Sequence, residues 1–357
     1  MKRNLFIDIF PPPAYLLMPA LGLDISDRSI KYVELGKKRE EIFIRRFGGH
    51  LIPRGLIEAG EIKDKEKLIS LLKNLQKELK SKYLIIALPE EKAFLARVKL
   101  PMMKEEEIRG ALELQLEEHI PLSINEAIFD FNVTREVSDS NYIDVCLIAF
   151  PKKVVEDYRD VFTKAGFIPL VLEMEMQASA RTIVPQNEKK TLVVVDFGQT
   201  RTSFSIVSKN EVQFTTTIRV AGEELEKALM RNLKVDQIQA EKIKKESGFR
   251  KSKENEKIFN SILPIISVIK DEIGKCINYW NSNFGDNDLK KVSRILLCGG
   301  DSNLFGFPEY LSYELKLPVE PGNPWVNIFS FEEHIPEIEL KDSLSYAIAL
   351  GLALRAL

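Results

Sequence analysis

A chain of 357 residues exceeds the size at which a single core keeps growing, so two or more lobes are expected. With 51 basic against 53 acidic residues, the net charge of −2 gives no global pull towards nucleic acid, and no apolar run reaches the roughly 18 residues that span a bilayer. Three scattered cysteines (Cys146, Cys276, Cys298) and three isolated histidines (His50, His119, His334) argue against a disulfide framework, a zinc site or a Ser-His-Asp triad, and suit a reducing cytoplasm.

Residues 1–19 are expected to form a cytoplasmic extension. Lys2 and Arg3 precede an apolar stretch in the manner of a signal peptide, but Asp8 interrupts it and Pro11 to Pro13 stiffen the chain. Phe6, Ile9 and Phe10 either dock on the body or a partner, or belong to a flexible tail. Strands are then predicted at Leu21 to Ile25, Ser29 to Leu35 and Glu41 to Phe47. The first two enclose a hairpin carrying Asp24, Ser26 and Ser29, with Lys31 on the return. A helix over Asp64 to Lys80 places Leu68, Leu71, Leu72, Leu75 and Leu79 at helical spacing, and Tyr83 to Leu88 reads as a short buried strand.

From Phe94 the pattern is strand, helix, strand, strand, helix. The acidic helix Lys104 to Ile120 turns Ile108, Ala111, Leu112, Leu116 and Ile120 inward before Pro121 stops it. Ala127 to Val137 and Tyr142 to Phe150 form a hairpin closed by Ser138 to Asn141, and Pro151 opens the next helix. In GFIPLVLEMEMQASART, 166–182, a strand leads into a helix of small residues with Glu173 and Glu175 on one side of the extended chain; an acidic helix N-terminus is the ordinary reading.

TLVVVDFGQTRTSFSIV, 191–207, repeats the first hairpin. A buried strand runs into Asp196, Gly198, Gln199, Thr200 and Thr202, then returns. A carboxylate there can orient a hydrated metal ion and the glycine lets backbone N–H groups approach a phosphate, although an ordinary hairpin with a polar tip has the same composition. Residues 220–284 are mostly helical, and a long helix carries Phe259, Ile262, Ile266, Ile269, Ile273, Ile277 and Trp280 as a core stripe, with Pro264 expected in its opening turns. Glu241 and Lys244 read from the residues alone as an i, i+3 surface pair. RILLCGGDSNLFGFPEYL then gives a strand, the turn Gly299 and Gly300 with Ser302 and Asn303 after it, and a helix beyond Gly306. Neither a Walker A motif nor a G-x-G-x-x-G after a strand is present.

Two Asp hairpins 172 positions apart, followed by a strand, a GG turn and a helix, resemble the phosphate 1, phosphate 2 and adenosine segments of the actin-like ATPase fold. The fold class implied is α/β, with two ribonuclease-H-like lobes. The inserted module resembles the 1C subdomain that distinguishes FtsA and PilM from actin. VKLPMMKEEEIRGALELQLEEHIPLSINEAIFDFNV, LPVEPGNPW at 317–325 and SLSYAIALGLALRAL at 343–357 resemble the PilM family of type IV pilus assembly proteins over nearly the whole chain from Ala20.

That resemblance implies a first lobe at 20–91 and 166–190, a 1C-like insert at 92–165, a second lobe at 191–219 and 290–357, and a helical 2B-like subdomain at 220–289. It implies ATP and Mg²⁺ as ligands, the metal held by Asp24 and Asp196. Nucleotide contacts are implied for Asp24, Ser26, Ser29, Lys31, Asp196, Gly198, Gln199, Thr200, Thr202, Gly222, Glu241, Lys244, Gly299, Gly300, Ser302 and Asn303. Glu175 takes the place of the Glu that orients water in the family's E-P-x-A-x-x-R pattern, with Arg181 as its Arg. Two positions depart: Met176 replaces the usual Pro, and Ser26 stands where Gly is usual, either narrowing the phosphate approach or offering a hydroxyl. With no evident arginine finger, turnover is expected to be slow.

The implied partner is the cytoplasmic N-terminal peptide of a PilN-like membrane protein, docked near Phe129, Phe131 and Val133 unless those side chains pack under the acidic helix. Other platform proteins, a motor ATPase and self-association are further options, with a peripheral location at the inner membrane. Two alternatives stand beside the scaffold: an FtsA-like filament former, which would want a membrane-binding C-terminal helix where this chain has a buried-looking one, and a small-molecule kinase.

Overall fold

The computed structural model describes residues 20–38, 41–134, 141–285, 291–332 and 334–357; the N-terminal extension and most of the turn expected at Ser138 to Asn141 lie outside them. The chain opens with β1 (Leu21–Ile25), β2 (Ser29–Lys38), β3 (Glu41–Leu51) and the short pair β4 (Ile57–Glu58) and β5 (Glu61–Ile62). Helix α1 (Lys65–Leu79) follows, where Asp64 accepts the Lys67 N–H at 3.0 Å and so satisfies one of the open donors at the helix start. Strand β6 (Tyr83–Leu88) leads to the insert, β7 (Phe94–Pro101), α2 (Glu105–His119), β8 (Ala127–Thr134) and β9 (Tyr142–Pro151). Then come α3 (Lys152–Lys164), β10 (Ile168–Met174) and α4 (Glu175–Ile183).

The second half carries β11 (Thr191–Phe197), β12 (Thr202–Ser208), β13 (Glu211–Ile218), α5 (Gly222–Leu233), α6 (Gln237–Ser247), α7 (Glu256–Phe284), β14 (Val292–Cys298), α8 (Phe307–Leu315) and β15 (Val319–Pro321). It closes with α9 (Leu340–Ser343) and α10 (Ala347–Arg355). The two large sheets have one topology. Their orders are β10-β6-β1-β2-β3 and β13-β12-β11-β14-β15, each with a central strand antiparallel to its hairpin partner and parallel to the strand on its other side. Asp24 and Asp196 are both the penultimate residue of a central strand, so the duplication extends to the position of the carboxylate.

Helices α4 and α10 pack together between the sheets. They approach so closely at Gly351 that a β-carbon there would stand 1.9 Å from the Ala178 carbonyl oxygen. Arg181 donates to Glu173 at 2.6 and 3.0 Å and to the Gly351 carbonyl at 2.8 Å, and Arg355 also pairs with Glu173. Arg181 and Glu173 are therefore a pillar of the helix pair. One face of the second sheet, through Leu192, Val194 and Cys298, joins the core that holds Met176, Ala180 and Ile183 of α4. Its other face takes the α7 stripe, where Ile262, Ile266, Ile269, Ile273 and Trp280 are buried. Pro264 is the ninth residue of α7 and lies past its opening turns, because the helix begins back at Glu256.

Two helices pack elsewhere than the sequence divided them. Helix α10, grouped with the second lobe, lies on β1 and β2 of the first because its buried residues Ala347 to Ala353 need that sheet face. Helix α3, grouped with the insert, sends Tyr158, Val161 and Phe162 into the first-lobe core. The insert's own core is a β7-β9-β8 sheet under α2, formed by Val98, Leu100, Ile108, Leu112, Leu116, Val145 and Leu147. Phe129, Phe131 and Val133 pack against that core, and the Arg109 guanidinium lies 4.9 and 5.8 Å from the two rings. Those three side chains follow the second of the two readings, packing under the acidic helix, since strand alternation turns them all to the face that α2 covers. The opposite face turns to the second lobe: Arg97 stands 4.8 Å from the Phe284 ring, and the Cys146 thiol points at the Val212 carbonyl at 3.8 Å.

Candidate functional site

The hairpins after β1 and β11 face each other across a cavity of about 310 Å³ between the lobes. In the first, the Ser26 N–H donates to the Ser29 carbonyl at 2.9 Å, and the Ser26 hydroxyl oxygen receives the N–H groups of Arg28 and Ser29 at 3.4 and 3.2 Å. The Ser26 side chain is thus taken up by its own turn. In the second, the Gly198 N–H donates to the Arg201 carbonyl at 3.1 Å, while the carbonyls of Gly198 and Gln199 receive the N–H groups of Gly222 and Glu223 at 3.1 and 2.8 Å. That stitches the hairpin tip to the start of α5. The third wall is the turn after β14. Gly299 has φ +90° there, and a β-carbon would stand 2.3 Å from Asp196 Oδ1. Only glycine serves both demands.

Asp24, Ser26, Ser29, Lys31, Glu175, Asp196, Gly198, Gln199, Thr200, Glu241, Lys244, Gly299 and Gly300 all line the cavity. Thr202, Gly222, Ser302 and Asn303 do not. The Thr202 hydroxyl donates to the Val220 carbonyl at 2.6 Å, Gly222 lies against the Asp301 carboxylate, Ser302 donates to the Gly299 carbonyl at 2.6 Å, and the exposed Asn303 donates to the Lys341 carbonyl. These four support the turns. Ser203, whose hydroxyl the sequence places in the second hairpin with those of Thr200 and Thr202, lines the cavity too, as do Arg28, Arg201, Glu226, Lys245, Asp301 and Ser345, which the sequence did not single out. Arg28 and Arg201 were legible as the cations at the turns of two hairpins otherwise rich in small polar residues.

Asp24 is 6% exposed, and burial pushes its carboxyl up to about 6, with Lys31 and Arg201 opposing and Asp196 adding to the rise. Burial likewise raises Asp196, against Arg201 and Lys31. Asp24 Oδ1 is buried without a hydrogen-bond partner. Two desolvated carboxylates with an open lone pair suit a cation. No cluster of three or more acidic, histidine or cysteine side chains fit to hold a metal occurs among the described residues, so an ion here would complete its shell with water and ligand oxygens.

Arg201 sits on the cavity floor. Its Nη2 donates to Glu175, its Nε lies 3.0 Å from Glu91 Oε2, and its Nη1 lies 3.9 Å from Asp27 Oδ1. Burial works against the guanidinium charge, and Glu175, Glu91 and Asp27 outweigh it, holding the group above its ordinary range. Glu175 is 2% exposed and raised by burial, with Arg201 opposing. Lys244 is buried, not a surface partner of Glu241: it pairs with Glu226 at 2.8 Å and Asp301 at 2.5 Å, while Glu241 takes Lys245 at 2.6 Å.

Glu90, beneath the site, accepts the Thr215 hydroxyl at 2.6 Å and the Met176 N–H at 3.0 Å, and burial raises it to about 7. A carboxyl raised in the folded state stabilises fully only below its unfolded value, and that contribution is lost as pH rises through 7. In Glu90→Gln the amide oxygen keeps Met176 and the amide N–H donates to the Thr215 hydroxyl. The variant is therefore expected to be more stable than the parent by about 1–3 kcal/mol at pH 8 and roughly equal to it at pH 5, measured by urea unfolding.

The family described as type IV pilus assembly protein PilM matches residues 22–357. Among solved structures, the PilM-PilN type IV pilus biogenesis complex aligns over 95% of this chain and 98% of that one, with a TM-score of 0.80 and 23% identity. The ethanolamine utilization protein EutJ from Carboxydothermus hydrogenoformans aligns over 96% and 93%, with a TM-score of 0.57 and 16% identity. MreB5 of Spiroplasma citri, bound to ADP, aligns over 94% of both chains, with a TM-score of 0.57 and 15% identity. These likenesses carry the actin-like architecture of two duplicated lobes.

Proposed function

The chain belongs to the type IV pilus assembly protein PilM family, and from that premise we propose that it is an ATP-binding scaffold of a pilus assembly platform, held at the inner face of the cytoplasmic membrane by the N-terminal peptide of a PilN-like protein. The observation that carries the nucleotide is the cavity itself, which gathers both hairpins, the glycine turn and the unpartnered oxygen of Asp24. Asp24 and Asp196 would hold Mg²⁺ through water, neutralising phosphate charge. Lys31 and the hairpin backbone would bind the phosphates, while Glu241, Gly299 and Gly300 form the wall left for ribose and base.

Binding without rapid turnover is the reading the site favours, because Arg201 occupies the carboxylate of Glu175, the one candidate for orienting water. That also speaks against a small-molecule kinase. Helix α10 is buried from Ala347 to Ala353, so it is not itself a membrane-docking helix of the FtsA kind. Among the described residues, no helix is long and apolar enough to cross a membrane; in this proposal the PilN-like partner supplies the attachment.

For the peptide we favour the opening behind the insert over its Phe129 face. A cavity of about 240 Å³ lies there between Asn132 and Cys146 of the insert, Gln177 and Arg181 of α4, and Asn327. Asn132 and Gln177 place side-chain amides in its wall, which the backbone of an extended segment can meet. Phe94 and Ala149 are cross-strand neighbours, so residues 95–148 can be replaced by a short Gly-Ser link. Loss of the PilN-like peptide in that variant, with nucleotide binding kept, is the expected result; undiminished peptide binding excludes the insert as a recruiting surface.

A further inference from the structure

We propose that Arg28 reads the terminal phosphate, making the cleft selective for a nucleoside triphosphate over a diphosphate; the proposal rests on the cleft binding nucleotide. Arg28 stands at the tip of the first hairpin, with its carbonyl fixed by the Ile52 N–H at 2.8 Å and its N–H directed at Ser26 Oγ. Its side chain lines the cavity and reaches the second lobe at Glu223. The Glu223 N–H is bound to the Gln199 carbonyl, so Glu223 marks the tip of the second hairpin. Arg28 therefore bridges the gap between the two tips, where an anion clamped by both must lie.

The bridge is loose on Arg28's side. Its Nη2 lies 3.3 and 3.5 Å from the two Glu223 oxygens, and its Nε is buried with no partner. Arg54 holds the same carboxylate more tightly, at 2.9 Å. If Arg28 turns away, Glu223 keeps Arg54, so the exchange leaves no buried acid uncompensated. A terminal phosphate offers the unpartnered Nε and the weakly engaged Nη2 a doubly charged acceptor of matching fork geometry. A diphosphate ends short of that position, and Arg28 then stays with Glu223. Ligand state is thereby linked to a contact between the lobes.

The test is calorimetric titration of MgATP and MgADP into the full chain, the Arg28→Gln variant and the Glu223→Gln variant. Arg28→Gln is expected to lose roughly 10- to 100-fold in ATP affinity, with ADP within about threefold of the parent. Glu223→Gln, which frees Arg28, is expected to raise the ATP-to-ADP preference. Equal losses for both nucleotides in Arg28→Gln, or an unchanged preference in both variants, would make Arg28 a structural clasp and overturn the proposal while leaving nucleotide binding intact. A parent that binds neither nucleotide overturns both.

Discussion

Arg201→Met is expected to lower unfolding free energy by about 3–5 kcal/mol at pH 8, with the deficit shrinking at pH 5. The guanidinium is a cation shared by Asp27, Glu91 and Glu175, which come from the first hairpin, the segment after β6 and the start of α4. Methionine fills much of the volume, so the loss reports charge and not a cavity. Glu175 is already raised by burial with Arg201 opposing that rise, and removal of Arg201 raises it further. Such a carboxyl stabilises the fold fully below its unfolded value and loses that contribution as pH rises through its folded one, which is why acid relieves the variant. Urea unfolding at the two pH values is the measurement. A deficit below about 1 kcal/mol, or one equal at both, would mean that the carboxylates find other compensation.

The sequence was legible wherever one segment carries its own signal. Asp24, Asp196 and Gly299 stand out because each ends a buried strand at a turn of small residues, and all three meet in the cavity. The leucines of α1 and the isoleucines of α7 announce their faces through helical spacing, and both faces are buried. What stayed hidden depends on pairing between distant segments. Lys244 looks like half of an i, i+3 surface pair until Glu226 and Asp301, 18 positions before it and 57 after, close around it. Arg201 gives no local sign of the three acids it holds. Helix α10 is apolar enough for either lobe, and only the Gly351 approach to α4 decides which sheet it joins. Strand alternation did put Phe129 and Phe131 on one face, but it carries no information on which layer covers that face.

Saturating MgATP is expected to stabilise the parent by about 4 kcal/mol when free ligand stands a thousandfold above its dissociation constant, and Asp196→Ala is expected to abolish that gain while remaining folded. The variant removes one of two buried, raised carboxylates, relieving the repulsion that Asp196 exerts on Asp24, so the unliganded fold has no reason to weaken through charge. What it loses is half of the anionic pair that would hold a hydrated cation against phosphate. The gain in the parent should also depend on pH in one direction. Asp24 must be ionised to face the cation and its carboxyl stands at about 6, so the MgATP shift should shrink as pH falls below 6 and level off above it. Thermal melts at pH 5, 6.5 and 8, with and without millimolar MgATP, measure all three statements. A parent whose melting temperature ignores MgATP at pH 8 would leave the two hairpins as architecture inherited with the fold, and the scaffold proposal would then rest on the role proposed for the insert in holding the peptide.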